Sequence, residues 1–286
     1  MPMKHAVPPV LRALIRPTPP RRRGIPLAKT WTRWSTPDDH LYVSREPSGL
    51  RLRCDLRDEL SRVVYYRGSV DRGLERRLTN SLRSGDLYVD VGAHIGFIVS
   101  LAASAVGPTG SIIAFEPAPE TLTKLRKAVQ ESGRANIEVR FEAIGVSTGT
   151  SKLLTPVDDW AHQSSRASLV PAPGLGSGTP VPTVSLTDVF VDDQRQIRLL
   201  KIDVEGHERS VLHGARQLLS KRRCDAVLME LNPAALAAAG TTVDDLVAEM
   251  DEAGYEPFKV EEDGPPRPWR PTVPADTFAD VVFLPR

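Results

Sequence analysis

The chain has 286 residues, 41% apolar and 26% charged, which supports one large domain with a real core plus an extension. Its formal net charge of +1 argues against a global field for nucleic acid or anionic membranes. Two cysteines far apart, Cys54 and Cys224, exclude a clustered zinc site and point to a reducing compartment. No apolar run reaches the roughly 18 residues of a membrane span, so a cytoplasmic setting is expected.

Residues 1–37 contain no acid and concentrate arginine and proline in "PTPPRRRGIP". They read as a disordered basic leader; the alternative is an arm that touches a partner or membrane. Residues 38–85 read as an N-terminal extension. In it "LYVSR" (41–45) and "LRLRCDL" (50–56) alternate apolar and polar residues around "EPSG", a hairpin pattern. "VDRGLERRLTNSLRSG" then has helical spacing and stops at Gly85.

From 86 to 286 strands alternate with helices. "DLYVDV" (86–91), "SIIAFE" (111–116), "NIEVRFEAI" (136–144), "IRLLKIDV" (197–204) and "DAVLMEL" (225–231) read as strands. The helices expected between and after them cover 95–106, 118–132, 208–221 and 242–254. Such alternation implies a mostly parallel sheet with helices on both faces. "YEPFKV" and "FADVVFLP" have no crossover helix between them, so they are expected to pair antiparallel at an edge. Residues 155–182 break the pattern with Pro, Gly and Ser, and read as a lid or a disordered insertion, with Trp160 and His162 near the start.

The first strand runs into Asp90-x-Gly92-x-x-x-Gly96. A strand, a glycine turn and a helix bring backbone amides close to a polar ligand. The spacing is not the GxGxxG of dinucleotide sites, and an acid at the strand end repels a pyrophosphate. It suits a ligand with an ammonium group, whose carboxylate the turn amides can take; S-adenosylmethionine carries both. Glu116 ends the next strand, where it can accept two ribose hydroxyls. Glu142 ends the third as a candidate adenine partner. Solvated strand ends are the alternative for both acids.

These segments resemble the FkbM-type S-adenosylmethionine-dependent methyltransferases. The resemblance lies in "DVGAHIGF", "GSIIAFEPAPETLTKLRKAV", "FEAIGVSTGT", "VPTVSLTDV" and, most specifically, "LLKIDVEGHERSVLHGARQLL", across roughly 68–231. His94 stands where the family often has Asn. The resemblance implies a class I methyltransferase fold, Rossmann-like, and methyl transfer to a hydroxyl on a sugar or natural-product acceptor. Cofactor contacts are expected at Asp90, Gly92, Ala93, Gly96, Glu116, Pro117, Glu142, Ala143 and Asp203.

In open α/β sheets ligands bind beyond the carboxyl ends of the strands, where "KIDVEGHE" places Asp203, Glu205 and His207. His207 is the candidate general base, with Asp203 and Glu205 as its catalytic companions. Alternatively, Asp203 and Glu205 cap the following helix, or they bind a divalent cation together with Glu230. Lys201 lies in a strand that reads as buried but can point outward, and His213 reads as a packing or surface residue. The Asn/Asp-Pro-Pro-aromatic motif of N-methyltransferases is absent, which favours an oxygen acceptor. A small-molecule acceptor is expected as partner, and no feature assigns an oligomeric state. A nucleotide-dependent oxidoreductase and a non-catalytic cofactor-binding relative are the other readings.

Overall fold

The computed structural model describes residues 41–157, 163–172, 174–176, 178–271 and 278–286. The 1–37 leader, Trp160 and His162 lie outside them. Residues 41–85 form the hairpin β1 (Leu41–Arg45) and β2 (Arg51–Asp55), then the helices α1 (Glu59–Arg67) and α2 (Arg72–Ser81). Asp58 and Asp71 start the two helices by accepting from the Ser61 amide at 2.7 Å and the Leu74 amide at 2.8 Å. Helix α1 was not visible as a separate period in the sequence. Helix α2 stops at Ser81 rather than at Gly85, because Leu82 turns to an extended conformation and buries itself.

The body is an eight-stranded sheet in the order β12-β11-β13-β10-β9-β3-β4-β5. Its parallel strands are β3 (Leu87–Val91), β4 (Ser111–Phe115), β5 (Ile137–Arg140), β9 (Ile197–Ile202) and β10 (Val227–Leu231). The antiparallel side is β11 (Tyr255–Lys259), β12 (Arg267–Pro268) and β13 (Ala279–Pro285). The expected antiparallel pairing of the last long strands is present, Tyr255 facing Pro285 and Lys259 facing Val281. β13 also inserts beside β10, so Glu230 faces Asp280.

Both faces of the sheet are covered, and side-chain alternation divides them. Tyr88, Ile112, Ala114 and Leu228 point into one core with the hairpin, α1 and α2, α3 (Phe97–Val106) and α4 (Pro119–Ser132). Val89, Ile113, Phe115 and Met229 point into the other. There they meet α5 (Leu186–Val189), α6 (Glu208–Gly214), α7 (Arg216–Ser220), α8 (Pro233–Ala238) and α9 (Val243–Glu252). The first core runs without a break into the 41–85 segment, so the extension is built onto the domain rather than tethered to it.

Three expectations change. The 136–144 strand is two strands in different sheets, because the chain leaves β5 after Arg140. β6 (Ala143–Ile144) joins β7 (Gly149–Leu153) and β8 (Thr179–Val184) in a three-stranded sheet ordered β6-β8-β7. Within 155–182, residues 179–182 belong to β8, and Leu154–Ser168 and Pro156–Leu175 bridges tie together other described residues. The 208–221 helix breaks at Ala215 into α6 and α7. Among the described residues no helix is long and apolar enough to cross a membrane. Both cysteines are buried, and no disulfide joins them.

Gly214, the last residue of α6, lies so close to β6 that a Cβ would overlap the Gly145 carbonyl oxygen. Gly214→Ala is therefore expected to cost about 1–3 kcal/mol, as overpacking a filled interior does. It should be read as a lower urea midpoint at constant m-value. An unchanged midpoint would mean that α6 is free to lift from β6.

Candidate active site

At the carboxyl ends of β3, β4, β9 and β10 lies a cavity of about 430 Å³. It brings together Gly92, Ala93, Glu116, Pro117, Glu142, Ala143, Asp203, Glu205, His207 and Glu230 from the sequence-derived set. Asp90 and Gly96 do not line it.

Asp90 has no solvent exposure and faces Lys201 on the neighbouring strand β9. The Lys201 ammonium lies 3.6 Å from Asp90 Oδ1 and 2.9 Å from Asp203 Oδ2. The Tyr88 hydroxyl donates to Asp90 Oδ2 at 3.0 Å. Burial opposes the charge on Lys201, but the two carboxylates outweigh it, and its pKa is raised. Burial raises the Asp90 carboxyl in turn, against the pull of Lys201. Asp90, expected to hold a ligand ammonium directly or through water, is buried, paired with Lys201, and does not line the cavity. Asp203, the other partner of Lys201, does line the cavity. Lys201, which the sequence left free to point outward, is the residue that local reading missed. Its only signal was a lysine between the apolar residues Leu200 and Ile202.

The glycine turn is tied down by its own amides. Gly92 and Ala93 donate to the Phe115 carbonyl at 3.1 and 3.0 Å, and Gly96 donates to Ala93. His94 donates to Glu116 Oε2 at 2.8 Å. These amides are spent inside the protein and do not wait for a ligand carboxylate, as the sequence had suggested. The first turn of α3 has no side-chain cap, and its Phe97 and Ile98 line the cavity. Gly92 has φ +90°, and a Cβ there would overlap the Asp203 carbonyl oxygen, so only glycine lets β3 and β9 end this close together.

Glu116 is buried, and its other oxygen accepts from the Ala118 amide at 2.8 Å. Burial pushes its carboxyl up to about 7. Each carboxylate oxygen keeps a second lone pair, so the group can still take two vicinal hydroxyls. Glu142 is gripped by Arg140, with Nη2 at 2.8 Å from Oε1, and the Arg140 guanidinium lies over the Phe115 ring.

Around the β9 tip the expected cap is replaced. Glu208 reaches back to the Gly206 amide at 3.1 Å and the Val204 amide at 3.4 Å. Asp203 and Glu205 are thus freed from capping. Glu205 adopts φ +50°, and His94, also lining the cavity, has the same value. Strained backbone at two lining residues is a mark of a functional site. His207 is the residue preceding α6, and burial lowers its pKa, which favours the neutral, proton-accepting ring. No carboxylate bonds to that ring among the described residues. His213 is half exposed and lies 3.2 Å from Glu249, so it belongs to the surface.

Described residues of the insertion line the cavity. Ser164 Oγ lies 2.7 Å from His94 Nε2, and Ser168 Oγ donates to the Glu205 carbonyl at 2.7 Å. Gln163 bridges to the extension, donating to the Arg57 carbonyl and accepting from the Glu59 amide. Among the described residues no group of three ligands is placed to hold a metal, and the Lys201 ammonium already occupies one side of Asp203.

The eight-stranded α/β sheet, with its glycine turn and strand-end acids, is that of a class I methyltransferase. Residues 90–257 match the methyltransferase FkbM domain, more than half of the chain, and the protein belongs to that family. It is similar to an arsenite methyltransferase of Halobacterium salinarum, 25% identical over 194 residues, which cover 63% of this chain and 40% of the relative. The crystal structure of methyltransferase FkbM from Methylobacillus flagellatus KT superimposes with a TM-score of 0.50 at 16% identity, over 76% of this chain and 48% of that one. The chain thus spans less than half the length of either.

S-adenosylmethionine suits the residues present. Glu116 retains lone pairs for ribose hydroxyls, Asp203 faces the cavity for an ammonium, and the uncapped α3 suits a carboxylate.

The raised carboxyls make a pH prediction. Burial pushes Glu208 up from 4.5 to about 7, so the folded state holds its proton longer than the unfolded chain does. The stability this provides is present below 4.5 and lost as pH rises through about 7. Between about pH 5 and 8, wild type should lose more stability than Glu208→Gln, which keeps an acceptor for the turn. Equal losses in parallel urea titrations would show that Glu208 is not held protonated.

Proposed function

We propose that the protein transfers the methyl group of S-adenosylmethionine to a hydroxyl of a small-molecule acceptor, such as a sugar or another moiety of a bacterial natural product. The observation that carries this reading is Glu116. Its carboxylate ties the glycine turn to the tip of β4 and lines the same cavity as Asp203 and His207. Family membership disfavours the oxidoreductase alternative.

When bound, S-adenosylmethionine supplies an electrophilic methyl group on a sulfonium. The protein's part is to orient and to move a proton. Glu116 and Glu142 fix the nucleoside end, and Asp203, held by Lys201, receives the ammonium. His207, kept neutral by burial, takes the acceptor's hydroxyl proton as the new carbon–oxygen bond forms. The described part of the insertion shields the centre from water.

Two other acceptors suit the cavity less well. Trivalent arsenic, named for the Halobacterium relative, is a soft centre that thiolates bind. Neither Cys54 nor Cys224 lines the cavity, and burial pushes the Cys224 thiol up to about 12. A nucleic-acid backbone would meet seven lining carboxylates and one lysine, the reverse of the charge it needs.

Calorimetry should detect S-adenosylmethionine binding that Glu116→Gln weakens at least about tenfold, the scale of one lost charge-assisted hydrogen bond. The glutamine spares the turn amides better than alanine would. Unchanged affinity would remove Glu116 from the cofactor site. With an acceptor found by screening against methyl-labelled cofactor, His207→Ala should lower kcat by about 10²–10⁴ and leave cofactor affinity close to wild type. A loss of less than about tenfold would place the base elsewhere.

A further inference from the structure

The cofactor half of the cavity accounts for Glu116, Glu142 and Asp203, and Asp71 is committed to capping α2. Glu205, Glu230 and Asp280 are left, and the last two lie side by side on β10 and β13. Neither carboxylate accepts a hydrogen bond among the described residues, and Asp280 Oδ1 is buried without a partner. A buried acceptor with nothing to accept from costs free energy unless a ligand or a proton supplies the donor. Lys201 is the nearest ammonium, and it is committed to Asp90 and Asp203.

The mouth beside this pair has the opposite character. Leu60, Val70 and Leu74 from the extension line the cavity together with Phe278 from the approach to β13. Val70 is 37% exposed and Phe278 54%, although both are large apolar side chains. The cavity therefore offers an acidic floor and an apolar rim at the end away from Glu116.

We propose that this end is the acceptor subsite for a hydroxylated molecule that carries a protonated amine and an apolar body. The amine lies between Glu230 and Asp280, and the body rests on Val70 and Phe278. The proposal rests on the methyltransferase reading and narrows its acceptor. Burial pushes the Glu230 carboxyl up to about 10 and Asp280 up to about 7, so the empty pair keeps a proton. Lys201 on β9, Asp203 and Glu205 in the turn after it and Asp71 at the start of α2 are the charged groups that face the pair. A ligand ammonium replaces the retained proton with a charge-assisted pair at each carboxylate. Among the described lining residues, a phosphate or carboxylate in the same place would find only Lys201, which is already paired.

The test uses the full chain with S-adenosylhomocysteine bound. Calorimetry compares three probes below their micelle concentrations: octyl glucoside, its 2-amino-2-deoxy analogue and its 6-phosphate. The amine should bind at least about tenfold more tightly than the neutral glucoside, and the phosphate more weakly than either. Glu230→Gln and Asp280→Asn should each bring the amine-to-neutral ratio towards one. The wild-type comparison decides even if a variant fails to fold. An amine that binds no better than the glucoside, a phosphate that binds best, or no binding of the amine overturns the proposal. Titration of S-adenosylhomocysteine alone reads the cofactor assignment separately. If it binds and the amine preference is missing, only the acceptor proposal falls. If it does not bind, both fall.

Discussion

The site depends on one buried ammonium. Lys201 sits between Asp90 on β3 and Asp203 just beyond β9, and it joins two strand tips that would otherwise present unpaired carboxylates to each other. An isolated charge of either sign would be expelled from so dry a place, or neutralised there. Together the three groups are tolerated, and together they fix where β3 and β9 end. The Gly92 turn needs that placement, since it passes against the Asp203 carbonyl with no room for a side chain. The Asp203 amide closes the same corner by donating to the Val91 carbonyl at 3.0 Å.

From that corner the cavity is assembled by segments distant in sequence. The sheet supplies the acids, the extension supplies Leu60, Val70 and Asp71, and the insertion supplies Ser164 and Ser168. The contacts of Gln163 with Arg57 and Glu59 link the last two. This explains why the extension shares a core with the body. A hairpin and two helices that form one wall of a site must be held as firmly as the strands opposite.

Much of the frame was legible in the sequence because it obeys local rules. Short apolar strands alternating with amphipathic helices gave the parallel sheet, and the missing crossover helix gave the antiparallel edge. Asp90, Gly92 and Glu116 could be placed at strand ends by counting alone. What could not be read depends on register or burial. Lys201 looked free because a side chain's direction at the end of a strand follows from the neighbouring strands. The Glu230–Asp280 pairing joins segments about fifty residues apart through an antiparallel register, and nothing local announces it. The turn amides looked available because sequence does not show that Phe115 and Glu116 already hold them. The break between β5 and β6 was hidden by an unbroken β-type run whose halves belong to different sheets.

The central claim is that the tips of β3, β4 and β9 together form a binding site for S-adenosylmethionine. Amide hydrogen exchange on the full chain, with and without S-adenosylhomocysteine, tests it most directly. The account predicts slower exchange in three separate stretches, 92–98, 116–118 and 203–208, with the far surface around α7 and α9 unchanged. Protection confined to one stretch, or appearing around α7 and α9 instead, would contradict it.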